Sequence, residues 1–239
     1  MKITAFNGAM RGKKSITDIM VQEFLAGAAG AGAEVENVFL VEKKIRHCLG
    51  CLSCWIKTPG KCIQKDDMGE LLDRYLASDV VVMATPVYVD NVTGLMKDFM
   101  DRLIPITDPR FEPDDSGESR HLKRYERYPG IVALSSCGYP EQSAFQVLAL
   151  LFKRVARNMN GELLAEIYRG GAGLLGLNDP GLAPMIAEYK ALLRQAGSEI
   201  AEHRRLAAQT ARALDRQWVP TAIYNEQVNL LWNRLMARP

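Results

Sequence analysis

No stretch of 18 consecutive apolar residues occurs in this sequence of 239 residues, so no membrane-spanning helix is expected. Neither sign of charge is in excess. Thirty basic and 28 acidic residues leave a net charge of +2, which gives no reason to expect nucleic acid or an anionic membrane as partner. The opening MKITAFNGAMRGKK lacks the apolar run of a secretion signal, which makes the cytoplasm the expected compartment. The phosphate loop spelled GxxxxGK followed by Ser or Thr is absent, and no internal repeat is found. Cysteine is scarce at five residues, yet four of them fall within HCLGCLSCWIKTPGKC, residues 47–62. In a reducing compartment such a cluster points to metal ligation or redox chemistry before a disulfide framework.

What is present is a core-forming composition, 48% hydrophobic and 24% charged, as in soluble globular proteins. Short β-prone runs at 2–6, 34–41, 79–84, 131–135 and 162–168 alternate with helical periodicity near 15–33, 66–76, 92–103 and 141–158. The run DVVVMA at 79–84 is apolar at nearly every position, as in a strand covered on both faces. The alternation predicts an α/β fold with a parallel sheet. Five strands fit the doubly wound, flavodoxin-like order 2-1-3-4-5, with ligands at the carboxyl ends of the strands. Residues 1–180 are expected to form that domain, and 181–239 a C-terminal helical extension. Residues 105–128, rich in proline and charge, are expected to be a surface excursion.

The expected order would bring three polar loops together, 7–15, 85–93 and 136–141. The first opens a helix, a place suited to a phosphate, with Arg11 and the hydroxyls of Ser15 and Thr17 at hand. A plain solvated turn with a helix cap explains it as well. In the second, TPVYVDNVTG, Tyr88 offers a flat face to a planar ring, or is a core tyrosine. The third, SSCGYPE, supplies hydroxyls, a glycine and a tyrosine; Cys137 there reads as a small buried hydrophobe.

The three loops, above all ATPVYVDNVTGLMKDFMDR, resemble the NADPH-dependent FMN reductase-like flavoproteins, and CLGCLSCWIKTPGKCIQKDDM narrows the likeness to the iron–sulfur flavoprotein branch. The likeness covers roughly residues 1–170 and is specific over 48–103. It implies bound FMN. Gly8-Ala9-Met10-Arg11 and Ser15-Ile16-Thr17 take the places of the family's phosphate loop, although Ala9 and Met10 depart from its pattern. By the same likeness, Thr85, Pro86, Val87 and Tyr88 would border the flavin ring, with Ser136, Cys137, Gly138 and Tyr139 on its other side. No dinucleotide-binding GxGxxG fingerprint is expected in the chain, so NAD(P)H would visit the flavin as an electron donor.

The cysteine spacing is C-x2-C-x2-C-x7-C. Thiolates of Cys48, Cys51, Cys54 and Cys62 could hold one [4Fe–4S] cluster, with Pro59-Gly60 turning the chain back. A zinc site of four thiolates, a redox dithiol and free thiols are the other readings. His47 reads as exposed, and Asp101 as paired with a surface base. Arg110, Arg120, His121, Lys123, Arg124 and Arg127 of the excursion either cover the flavin or form a solvated surface. Apolar positions in the C-terminal helices pack on the core or join subunits, as a homodimer or homotetramer. The expectation is an FMN-dependent oxidoreductase with a small-molecule or protein redox partner. A reductase without a cluster and a zinc-stabilised binding protein without turnover are its rivals.

Overall fold

The computed structural model describes residues 1–237; the last two residues of the expected 181–239 extension lie outside them. In chain order the first half contains β1 (Lys2–Asn7), α1 (Ile16–Gly30), β2 (Glu34–Phe39), α2 (Ser53–Ile56), α3 (Met68–Ala77), β3 (Val80–Pro86) and α4 (Gly94–Asp101). There follow β4 (Thr107–Pro113), β5 (Ser119–Lys123), β6 (Gly130–Ser136), α5 (Gln146–Asn158), β7 (Leu163–Arg169), α6 (Ala183–His203), α7 (Ala208–Asp215) and α8 (Thr221–Met236).

Five strands form one parallel sheet in the order β2-β1-β3-β6-β7, consistent with a flavodoxin-like fold. β3 and β6 are buried along almost their whole length, which is why they read as continuous apolar runs. Alternate residues face opposite layers. Phe6, Val81, Met83 and Ala133 meet Leu71 of α3, Phe99 of α4 and Phe152 of α5, with Phe6 and Phe99 stacked at 4.6 Å between centroids. Ile3, Val82 and Leu134 meet Phe24 of α1 and Leu193 and Ile200 of α6.

The helix α6 therefore belongs to the core layer, although it lies beyond residue 180. Its backbone touches that of α1. A Cβ on Gly27 would stand 1.8 Å from the carbonyl oxygen of Arg194, and one on Gly197 would stand 1.9 Å from that of Phe24. The C-terminal helical extension is broken at Arg204, whose φ of 52° is left-handed, and continues as α7.

The excursion at 105–128 is not an unstructured loop. It holds the antiparallel hairpin β4–β5. Pro109 and Pro113 obscure the strand pattern, but proline is tolerated on an edge strand, where its missing N–H goes unneeded. Arg157 of α5 anchors the hairpin by an ion pair to Asp114 at 2.5 Å and a hydrogen bond to the Ser119 carbonyl at 3.1 Å. No helix among the described residues is long and apolar enough to cross a membrane.

Candidate functional site

The carboxyl ends of β1, β3 and β6 meet, and hydrogen bonds join the loops that leave them. Gly8 N–H donates to the Ala84 carbonyl at 2.7 Å and Val87 N–H to the Ser136 carbonyl at 2.8 Å. The Thr93 hydroxyl donates to the Gly8 carbonyl at 2.8 Å and accepts from Met96 N–H as the cap of α4. Thr17 and Ser136 share a hydroxyl–hydroxyl bond of 2.8 Å. Below them Asn7 and Asn37 both donate to Asp18. Burial pushes the Asp18 carboxyl up, and those amides pull it back. Such a network fixes the loops before any ligand arrives.

The loops enclose a cleft with two lobes. The smaller, about 230 Å³, is lined by Arg11, Ser15 and Thr17 on one side and by Pro86, Val87 and Tyr88 on another, with Ser136, Cys137 and Gly138 closing it. The larger, about 1000 Å³, shares Val87, Cys137 and Gly138 and adds Tyr139, Asp90 and Glu141. Ten of the eleven residues expected to bind cofactor thus meet in one cleft. Thr85 does not line it: its hydroxyl is buried, accepting from Thr93 N–H at 3.1 Å, so it braces the second loop from within. Ser15 caps α1 through a bond from Asp18 N–H. Arg11 stands exposed at the mouth of the smaller lobe. Cys137 is buried, and burial pushes its thiol up, which fits an apolar filler and not a nucleophile.

Several contributors were not foreseen. Ala172 and Gly173 line the smaller lobe. They belong to Gly171-Ala172-Gly173-Leu174-Leu175-Gly176, which spells GxGxxG after β7, so the spacing expected to be absent is present. Here it forms a short 3-10 turn, Ala172–Gly176, after an edge strand, with no βαβ unit to follow; the dinucleotide fold needs both helix and unit. Tyr224, Asn225, Val228, Asn229 and Trp232 of α8 wall the larger lobe. The Tyr224 hydroxyl donates to the Gly138 carbonyl at 2.8 Å. Arg169, only 2% exposed, lies between the rings of Tyr189 and Trp218 and donates to the Arg216 carbonyl at 3.1 Å. Its own carbonyl accepts from Cys137 N–H, so it ties the C-terminal segment to the third loop. None of the excursion's basic residues lines either lobe.

The cysteine loop leaves β2 at the same edge but turns down the outer face of α4. Gly50, Leu52 and Gly60 all have positive φ, which curls the chain on itself. Cys48, Cys51, Cys54 and Cys62 line one small apolar pocket with Leu52, Ile63, Ile104 and Pro105. That pocket lies at the C-terminal end of α4, whereas Thr93 at the cleft caps its N-terminus. The eight residues of α4 separate the two by about 12 Å at 1.5 Å per residue. Arg102 fastens both ends of the loop. Only 1% exposed, it pairs with Asp66 at 2.7 Å and donates to the Arg46 carbonyl at 2.8 Å. Burial alone would push Asp66 up; the bonds from Arg102 and from the N–H groups of Arg46 and Met68 hold its carboxyl below the usual range. Ser53, through its hydroxyl and backbone, pulls the Cys51 thiol down, whereas burial and the neighbouring thiols push Cys54 up. His47 is exposed and bonds to Asp98 at 2.6 Å, and Asp101 pairs with Lys97.

The sequence profile of the NADPH-dependent FMN reductase family matches residues 1–121, half of the chain. The chain belongs to that family. The match spans β1 through the first two cleft loops and the cysteine loop. An iron-sulfur flavoprotein of Archaeoglobus fulgidus is 38% identical over 145 residues, 60% of this chain and 59% of the relative. An iron-sulfur flavoprotein of Methanocaldococcus jannaschii is 34% identical over 106 residues, 44% of this chain and 53% of the relative. The chain thus spans between half and three-fifths of the length of these relatives. An FMN-dependent NADH-azoreductase of Bacillus anthracis, solved with FMN, superposes with a TM-score of 0.61 at 17% identity, covering 84% of this chain and 99% of that one. That likeness is one of fold.

The cleft of this family member suits a flavin mononucleotide. Its smaller lobe joins a helix N-terminus to a single cation, Arg11, as a phosphate requires. Pro86, Val87 and Tyr88 give an adjoining flat, partly apolar wall. The cysteine pocket presents four sulfur donors in apolar surroundings beside a buried cation, a donor set suited to an iron–sulfur cluster. Four thiolates are also the donor set of a structural zinc site; among the described residues no three His, Cys, Asp or Glu side chains are grouped to hold a metal ion of either kind.

Proposed function

We propose that the chain is an FMN-dependent oxidoreductase of the iron-sulfur flavoprotein type. The observation that carries this is the two-lobed cleft, where an Arg11-flanked helix start adjoins a planar wall beyond the carboxyl ends of β1, β3 and β6. Arg11 and the first-turn N–H groups of α1 would hold the phosphate. Pro86 to Tyr88 and Ser136 to Tyr139 would border the ring. Bound FMN supplies one- and two-electron chemistry; the chain orients it and limits the access of water. Cys48, Cys51, Cys54 and Cys62 would hold a [4Fe–4S] cluster, a store of single electrons near the cleft. NAD(P)H or a small redox protein would be the donor. The exposed Leu230, Leu231 and Leu235 on α8 support assembly as a homodimer or homotetramer.

The test is purification without oxygen, followed by an absorption spectrum and iron and zinc assays. A yellow, iron-containing protein is expected, and Cys54→Ala should lose iron and keep flavin. Flavin without iron would leave a reductase that uses the same cleft with free thiols. Colourless protein that takes up no added FMN would end the proposal.

A further inference from the structure

Two arginines among the described residues are buried almost completely, and they are provided for differently. Arg102, 1% exposed, meets the Asp66 carboxylate through two nitrogens, at 2.7 and 2.9 Å. Arg169, 2% exposed, meets no carboxylate among the described residues. Its Nη2 donates to the Arg216 carbonyl, while Nε and Nη1 are buried with no described acceptor. Asp215, at the end of α7, acts on it only through space, with no ion pair formed. Arginine is almost never fully buried unless paired, because a guanidinium does not shed its proton.

The rings of Tyr189 and Trp218 stand 4.9 and 4.5 Å from its Cζ. An aromatic face stabilises a cation, but it gives the in-plane N–H groups nothing to bond. Arg169 is the only charged residue lining a pocket of about 10 Å³, walled by Pro140 of the third loop, Gly170, Gly171, Trp218 and Val219. That is room for one occupant near the size of a water. Trp218 and Val219 are half-buried, so their side of the wall can yield to a slightly larger ion. Of the polar side chains beside it, Gln217 donates to the Val219 carbonyl and the Thr221 hydroxyl, and Tyr224 to the Gly138 carbonyl. Neither accepts from Arg169.

We propose that this pocket is a site for one small monovalent anion of the halide class, held by Arg169. A water would accept an N–H and leave the buried charge unbalanced; an anion does both. Pro140 and Tyr224 line this pocket and the larger lobe of the cleft alike, so the bound anion braces the third loop against the start of α8. The site is independent of what the cleft holds.

The test follows Tm of the full chain as sodium chloride replaces sodium gluconate at constant ionic strength, gluconate being too large for the pocket. Chloride should raise Tm along a saturating curve, by about 4 °C at ten times its Kd, and Arg169→Gln should abolish the rise. No rise, a rise that does not saturate, or one retained in Arg169→Gln would overturn the proposal. Should Arg169→Gln fail to fold, crystals of the unaltered chain grown in bromide decide. A single anomalous peak within hydrogen-bond distance of the Arg169 guanidinium is expected. A water or the Asp215 carboxylate in that place would overturn the assignment.

Discussion

The cleft and the cysteine pocket stand at opposite ends of α4 and are built on different terms. Around the cleft, three loops bond to one another through backbone groups and through the hydroxyls of Thr17, Thr93 and Ser136, so the load is spread. The cysteine pocket is a single loop, curled by left-handed residues and joined at its ends by the buried ion pair of Arg102 with Asp66 and by hydrogen bonds between Lys44 and Asp67. A spread network yields by degrees when one member is removed. A loop whose buried fastening is one ion pair loses most when that pair is broken.

Removing Arg102 should have the largest effect. Arg102→Ala leaves the Asp66 carboxylate buried without its countercharge, with only the N–H groups of Arg46 and Met68 as partners, a loss of about 3 kcal/mol. Urea unfolding should show that loss, and iron content should collapse while FMN affinity per folded molecule holds. Equal losses of iron and FMN would break the contrast between the sites. Thr93→Val should cost about 1–2 kcal/mol through the lost helix cap and lower FMN affinity, with iron content unchanged. Val89→Asn should act in the other direction: Val89 has a left-handed φ of 48°, and relief of that strain should raise stability by about 1 kcal/mol, read as a higher Tm.

Acid separates the sites more gently. The folded Asp66 carboxyl lies below its ordinary value, so its stabilisation is fully present above about pH 4 and is lost as pH falls through the folded value. Thiol accessibility to an alkylating reagent should rise in that window, earlier than flavin is released. The smallest effect is at His47. Its hydrogen bond to Asp98 raises the imidazole, so the contact is complete below about pH 6.5 and lost as pH rises through the folded value. An NMR titration should place the His47 midpoint above the ordinary value, and Asp98→Asn should return it there.

The sheet was legible because strands buried on both faces must be apolar throughout, as Val80–Ala84 and Ile131–Leu134 are. The loops were legible because the fold puts strand ends in one place, which let Arg11, Tyr88 and Gly138 be named together. What stayed hidden depends on contacts between distant parts of the chain. Arg102 reads as a surface charge at a helix end, and nothing in DFMDR reveals that Asp66 waits for it. Tyr224 and Trp232 lie far in sequence from the loops they wall, with only an apolar stripe as signal. The family likeness places Thr85 at the flavin, but its side chain turns inward to hold Thr93. The β4–β5 hairpin escaped because Pro109, Pro113 and flanking charges resemble a loop when an edge strand needs few apolar residues.

The glycine contact between α1 and α6 bears on how the cleft admits anything at all. With Gly27 and Gly197 pressed against opposing carbonyls, α1 has no slack in which to swing, so the jaw that carries Arg11 is a fixed anvil. Entry and exit must then be governed by the opposite jaw, the Val89 turn and α8, the latter moored to the third loop chiefly through Tyr224.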